Sequence, residues 1–274
     1  MSTSYDTFAV EKKGRCPMTH VPYIGITGFT HSIEVQACLS LMKSDNNRRL
    51  MVGVLATHKT LRGLPTSPRW AAQMPDISDI PKLFVDHPKA LNLVHYSTEE
   101  GKENTVGEDL WNLSRDDISG PHFHGFQLNI AWPSVVVLER YRRAFGAKQY
   151  IVLQIGEKAK QICNNNLAMI IQKLHPYVGL VDAILLDPSS GRGTPFDPTV
   201  AYELLTAIRS DFNDHFDLGV AGGLGPDTLN LIEPLVGSFP LLNIDAQGQL
   251  RDPDNELDFL NCEKYLTRAQ ELLK

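Results

Sequence analysis

Eight short apolar segments recur along the chain, and this recurrence constrains the fold more than any other feature of the sequence. Each segment is nearly continuous in apolar character, which is typical of strands buried on both faces of a parallel sheet. Most are followed by a stretch with helical periodicity. Eight strand–helix units in 274 residues predict a single α/β domain with the (β/α)8 TIM-barrel fold, and an open doubly wound sheet is the alternative. The predicted strands are VPYIGIT (21–27), LMVGVLA (50–56), ALNLVHY (90–96), GFQLNIA (125–131), YIVLQI (150–155), VDAILLD (181–187), LGVAG (218–222) and PLLNID (240–245).

The segments between the strands supply the predicted helices. The third is the least regular, because only Leu110, Trp111 and Leu113 offer an apolar face within 98–117. Residues 1–20 are predicted to form an N-terminal extension and 21–274 the barrel domain. The other helices are predicted at 31–42, near 76–86, and at 134–145, 164–174, 198–211, 226–236 and 258–273.

Composition and charge exclude several classes of partner. The net charge of −6 argues against non-specific nucleic-acid binding, which needs a basic face. No apolar run is long enough to span a bilayer, and the first twenty residues lack the apolar stretch of a signal peptide. The sequence predicts no membrane partner, no cofactor and no metal site, and it leaves a homodimer open. The four scattered cysteines read as free thiols of a cytoplasmic protein: Cys16, Cys38, Cys163 and Cys262.

Glycines cluster after the last two predicted strands. Gly222, Gly223 and Gly225 follow the seventh strand, Pro226 is placed to begin a helix, and Gly248 follows the eighth strand. Barrels of this fold commonly bind phosphate with the loops after strands seven and eight. The cluster therefore predicts a site for a small phosphorylated molecule, although any one of these glycines alone would be explained by a tight turn.

An acid ends the sixth predicted strand. Asp187 follows the apolar run ILL and opens directly into the loop PSSGRGTPFD (188–197). A carboxylate at the end of a buried strand is costly unless it is paired or used. In a barrel, the residues at this end of the strands form the active site, so Asp187 is a candidate catalytic residue.

Four segments together resemble phosphoribosylanthranilate isomerase, a barrel enzyme of tryptophan biosynthesis: GITGFTHSIEVQA (25–37), FQLN (126–129), LLDPSSGRGTPFD (185–197) and GVAGGLGPDTLNLIEPL (219–235). The resemblance implies an Amadori rearrangement, in which an acid protonates the ribose ring oxygen, a base removes the C2′ proton, and the aldosamine becomes a ketose. It implies that Asp187 is the general acid and that Arg69 binds the anthranilate carboxylate. It also implies that the phosphate is held by Gly222, Gly223 and Gly248.

The sequence departs from the family pattern at the general base. The family reads CGIT on its first strand and uses the cysteine as base, whereas the matched segment here is IGIT, with Ile24 in that position. The histidine of the family's QLHG is replaced by Asn129, which with Arg192 of the loop after strand six is a candidate substrate-binding residue. The eighth strand aligns the family's aspartate with Asp245 or with Asn243.

Three replacement bases are therefore candidates: His95 at the end of strand three, His58 after strand two, and Asp245. Loss of a general base typically slows a reaction by ~10²–10⁴-fold. The sequence therefore leaves two other functions open besides the isomerase. A non-catalytic phosphate-ligand binding or regulatory barrel is one alternative. Another phosphosugar enzyme, an epimerase or a lyase, is the other.

Overall fold

The computed structural model describes residues 21–188 and 195–274, and within them eight parallel strands close into a barrel. Closure is made by the last strand, which pairs with the first through Gly25 and Asp245 and with the seventh through Ala221 and Asp245. The predicted (β/α)8 barrel is confirmed. The strands are β1 (Tyr23–Thr27), β2 (Arg49–Thr57), β3 (Ala90–Ser97), β4 (Gly125–Asn129), β5 (Tyr150–Gly156), β6 (Ala183–Asp187), β7 (Asp217–Ala221) and β8 (Asn243–Ala246).

Helices surround the barrel in the order that the sequence predicts, but two short helices, Pro68–Ala71 and Glu157–Ile162, are not predicted, and two predicted helices differ. The segment 76–86 forms a 3-10 turn, Ile77–Asp79, and one turn of α-helix instead of a full helix. The segment 226–236 also begins with a 3-10 turn, Leu229–Ile232, so Pro226 does not begin a helix. The described helices are α1 (Ser32–Ser40), α2 (Pro68–Ala71), α3 (Ile80–Leu83), α4 (Val106–Leu113), α5 (Asp116–Ser119), α6 (Val135–Phe145), α7 (Glu157–Ile162), α8 (Leu167–Leu174), α9 (Pro198–Phe212), α10 (Glu233–Val236) and α11 (Phe259–Leu272).

The barrel interior has an apolar lower part and a polar upper part. Alternate residues of each strand face inward, and the others pack against the helices. The lower interior is a cluster of apolar and aromatic side chains that includes Tyr23, Met51, Leu93 and Tyr150. Towards the C-terminal ends of the strands, the inward positions carry hydroxyl, amide, imidazole and carboxylate groups: Thr27, His95, Gln127, Gln154, Asp187 and Asp245. Barrels of this fold carry their active sites at the C-terminal ends of the strands, so these polar side chains are candidate site residues.

The opposite end of the barrel is held by a buried ion pair. Arg142 of α6 donates from Nη2 to Asp182 Oδ2 at 2.5 Å, and the same oxygen accepts the Ile151 amide at 2.8 Å. Burial raises the pKa of Asp182, and the charge of Arg142 opposes that rise. This pair lies at the end of the barrel away from the polar interior. Within the described ranges, no helix has both the length and the apolar character needed to cross a membrane.

Candidate active site

A cavity lies at the C-terminal ends of the strands, with an empty volume of about 310 Å³ that includes space open to solvent. Its walls combine the polar interior with the loops that follow β7 and β8. Six of the residues singled out from the sequence meet there, although they belong to four separate strands or to the loops that follow them. The lining residues are His95, Gln127, Asp187, Ala221, Gly222, Gly223, Leu224, Asp245, Ala246, Gln247 and Gly248.

Asp245 is the most strongly held carboxylate of the cavity. The Thr27 hydroxyl lies 3.0 and 2.9 Å from its two oxygens, and Gln127 Nε2 donates to Oδ2 at 2.9 Å. Gly25 makes room for it, because a Cβ at residue 25 would lie 2.8 Å from Asp245 Oδ1. Burial raises the pKa of Asp245 to about 7, and the negative charge of Asp187 adds to the rise, while the two hydrogen-bond donors oppose it. The carboxyl group can therefore gain or lose a proton near neutral pH.

Asp187 ends β6 and is 6% exposed. Gln154, inside the barrel on β5, donates from Nε2 to Asp187 Oδ2 at 2.6 Å. Residues 189–194 follow, and Arg192 among them lies outside the described residues. The chain reappears next to β7, where the Phe196 amide donates to the Gly222 carbonyl at 3.4 Å. Asp197 then caps α9 by accepting the Thr199 amide at 2.8 Å.

His95 is a neutral side chain with one assigned tautomer. Its Nδ1 lies 3.0 Å from Gln127 Nε2. Because an amide nitrogen only donates, Nδ1 must accept, and the proton of the neutral ring is on Nε2. Burial lowers the pKa of His95 to about 4, so the ring is uncharged at neutral pH. Of its two nitrogens, one is occupied as an acceptor and the other carries a hydrogen.

The glycine loops form the rim between β7 and β8. Gly222 and Gly223 adopt φ values of 106° and 64°, in the left-handed region that side chains disfavour. Thr228 Oγ1 then donates to the Gly223 carbonyl at 2.6 Å and closes the turn before any helix begins. A Cβ at Gly225 would lie 2.5 Å from the Cβ of Gln249, so the two loops pack directly against each other. These glycines accordingly lie in a loop and not at the beginning of a helix.

Three other sequence candidates lie away from the cavity lining. Arg69 is exposed on α2, with its guanidinium carbon 5.0 Å from the centre of the Trp70 ring. Asn129 is half-buried at the end of β4. His58 follows β2, and its Nδ1 is 3.0 Å from Thr105 Oγ1 and 3.4 Å from Asp109 Oδ2, at the beginning of α4.

The structure corrects the alignment of Ile24 with the family's catalytic cysteine. Ile24 is fully buried and belongs to the apolar layer between the barrel and the helices. A base must face the substrate, so this position could not serve whichever residue occupied it. The same spacing of glycine and threonine is found in IGIT (24–27) and in the overlapping segment TGFT (27–30). Thr27, the first residue of TGFT, contacts Asp245.

Sequence reasoning also missed Gln127 and Gln154. Both face the interior, both are 2% exposed or less, and each donates to one of the two carboxylates. Their signal was a polar residue within an otherwise apolar strand, at an inward position next to the C-terminal end. Across 21–188 and 195–274, no three His, Cys, Asp or Glu side chains group so as to hold a metal ion.

The fold and the cavity define a (β/α)8 barrel with a polar, glycine-rimmed cavity where barrel enzymes carry their active sites. Several phosphoribosylanthranilate isomerase structures share this fold over nearly their whole length. The one from Thermus thermophilus has a TM-score of 0.60 at 12% identity, and the one from Thermotoga maritima 0.59 at 14%; each comparison covers 91% of this chain and 99% of the other. A third, in complex with reduced 1-(o-carboxyphenylamino)-1-deoxyribulose 5-phosphate, has a TM-score of 0.55 at 15% identity with the same coverage. At these identities the likeness is one of fold. No family model and no curated protein matches the sequence.

Proposed function

We propose that this protein isomerises a phosphorylated aldosamine to the corresponding ketose, with phosphoribosylanthranilate as the substrate to test first. The observation that carries the proposal is the cavity itself, which joins two carboxylates, Asp187 and Asp245, to the two glycine loops. A small phosphorylated sugar needs these two features and no cofactor. The isomerase structure solved with a phosphorylated ketose analogue has the same fold, which supports this choice of substrate class.

In the proposed reaction the two carboxyl groups share one proton, and the reacting form carries it on Asp187, the general acid, while Asp245 is ionised. Asp187 protonates the ring oxygen of the sugar, the C1′–O bond breaks, and the nitrogen lone pair forms an iminium ion at C1′. Asp245 then removes the C2′ proton, and the electron pair of that bond neutralises the iminium and leaves an enolamine. A proton is then added at C1′ and the C2′ hydroxyl loses its proton, which converts the enolamine to the ketose. Atoms and charge balance without an oxidant or a metal.

Asp245 is better suited than the two histidines to be the base. Its pKa near 7 leaves about half of the carboxyl groups ionised at neutral pH, and a base is most effective when its pKa is close to the working pH. His95 would have to take a proton on a nitrogen that already carries one or on one that already accepts a hydrogen bond. His58 contacts Asp109 and Thr105 instead of the cavity.

The glycine loops are the proposed phosphate site. Side chains are absent at Gly222, Gly223 and Gly248, so the backbone of both loops can approach an anion closely. Placing phosphate there puts the sugar carbons above the barrel centre, between the two carboxylates.

The test follows the fluorescence of phosphoribosylanthranilate after the protein is added. We expect the wild-type signal to decay and Asp187→Asn and Asp245→Asn each to slow the decay by ~10²-fold or more, because each removes one proton-transfer group. Asp76→Asn, at an exposed position, is the matched control and should keep the wild-type rate. A zero wild-type rate, with the reduced ketose phosphate still bound, would overturn the isomerase and favour a phosphate-ligand binding protein.

A further inference from the structure

Gln127 stands between two groups of the cavity and contacts both with one atom. Its Nε2 donates to Asp245 Oδ2 at 2.9 Å and lies 3.0 Å from His95 Nδ1. The contact joins β4 to its neighbour β3 and, across the barrel interior, to β8. When Asp245 is ionised its carboxylate only accepts, so the amide nitrogen of Gln127 faces it in that form. The side chain is 1% exposed, so water does not compete for these contacts.

We propose that Gln127 is a positioning residue that keeps Asp245 ionised as the base and, through the same nitrogen, keeps His95 as an Nε2–H donor towards the substrate. This inference rests on the proposed function of Asp245. A donor next to a carboxylate stabilises the ionised form, and a donor at Nδ1 selects the ring tautomer that presents a hydrogen at Nε2. An imidazole N–H at this position can donate a hydrogen bond to the C2′ hydroxyl oxygen and orient that carbon towards the base.

Other titratable groups also affect the pKa of Asp245, and the experiment must separate their effects from that of Gln127. Asp187 raises its pKa from across the cavity. Tyr23 of β1 and Tyr265 of α11 interact with its charge from below and from the helix layer, but burial raises the pKa of both phenols well above the ordinary value, so they stay neutral. His95, with its pKa lowered to about 4, is uncharged above pH 5.

Three variants separate the contacts of Gln127 from general effects of a change inside the barrel. Gln127→Met removes the donor to both groups at nearly constant volume. Thr27→Val removes the other donor to Asp245 and leaves the His95 contact in place. Gln154→Met makes the same change as the first variant at an equally buried glutamine that contacts Asp187 instead.

The measurements are NMR titrations of the Asp245 carboxyl carbon and of the His95 ring nitrogens in the free protein, together with the pH profile of kcat/KM. A hydrogen bond to a charged group is worth roughly 1.5–3 kcal/mol, so Gln127→Met should raise the Asp245 midpoint by about one to two pH units. The ionised fraction at pH 7, and with it kcat/KM, should then fall about 5- to 50-fold, with the acidic limb displaced to higher pH.

The pattern across the variants decides the result. We expect Gln127→Met to move both the Asp245 midpoint and the His95 tautomer, Thr27→Val to move only the Asp245 midpoint, and Gln154→Met to leave the His95 tautomer in place. Unchanged NMR titrations in Gln127→Met, with turnover intact, would overturn the positioning role and leave the isomerase standing. Shifted titrations with no turnover in any form of the protein would overturn the isomerase and leave the Gln127 bridge standing.

Discussion

Replacing Asp245 by asparagine should stabilise the protein in a pH-dependent way. In the unfolded chain the carboxyl group has its ordinary pKa of 3.8, and in the folded protein burial raises it to about 7. A group with a raised folded-state pKa gives its full stability below the unfolded value and loses it as pH rises through the folded value. Between pH 5 and 7 the unfolded chain is ionised while the folded carboxyl is largely protonated. The free energy of unfolding therefore falls by up to ~1.36 kcal/mol per pH unit, and by about 2.3 kcal/mol over this interval, because the folded carboxyl is itself half ionised at pH 7.

Urea denaturation of the wild type and Asp245→Asn at pH 5, 6, 7 and 8, at constant ionic strength, measures this loss. Asparagine does not titrate, so the difference in unfolding free energy between the two proteins should change by about 3 kcal/mol in favour of the variant as pH rises. The fixed cost of altering the hydrogen bonds to Thr27 and Gln127 is the same at every pH and cancels in this comparison. Asp76→Asn should run parallel to the wild type. Parallel curves for Asp245→Asn as well would refute the raised pKa and the reasoning that makes Asp245 a base.

Two further substitutions test the framework around the site. Asp182→Ala, at the opposite end of the barrel, leaves Arg142 without its buried partner and should lower the unfolding free energy by roughly 3 kcal/mol in urea denaturation while KM stays at the wild-type value. Gly225→Ala places a Cβ 2.5 Å from the Cβ of Gln249 and forces the two glycine loops apart, so it should raise KM at least tenfold and lower the midpoint of thermal unfolding; an unchanged KM would remove these loops from the phosphate site.

The barrel follows from the sequence because its signal is redundant. Eight apolar runs each satisfy the requirement for a strand buried on both faces, and no single run decides the result. The third unit shows this. Its helix is predicted within 98–117 from three apolar residues, and α4 (Val106–Leu113) forms there with Leu110 and Leu113 buried, whereas Trp111, the third, is exposed.

The sequence signal for the site is less redundant, because each site residue is a single position. The motif with glycine and threonine occurs twice in succession, and only the direction of the side chains shows that Ile24 faces the helices while Thr27 faces Asp245. The choice between Asn243 and Asp245 is of the same kind. The side chain of Asn243 accepts the Tyr23 amide at 2.8 Å, whereas Asp245, two residues later, reaches the cavity.

The turn at Pro226 was also beyond sequence reasoning. Proline after glycine is suited to the first turn of a helix, and the pattern alone favours that interpretation. The contact of the Thr228 hydroxyl with the Gly223 carbonyl competes with it and delays the next helical turn until Leu229. Such a side-chain contact depends on the path of the loop and leaves no periodic signal.

The central claim is that a phosphorylated ketose sits with its phosphate on the two glycine loops and its reacting carbons between two aspartates. The most direct test is a crystal structure of the protein with reduced 1-(o-carboxyphenylamino)-1-deoxyribulose 5-phosphate. We expect the phosphate against the backbone of Gly222, Gly223 and Gly248, with C1 and C2 of the sugar within hydrogen-bonding reach of Asp187 and Asp245. A ligand bound outside this cavity, or bound with its phosphate directed at the aspartates, would contradict the account.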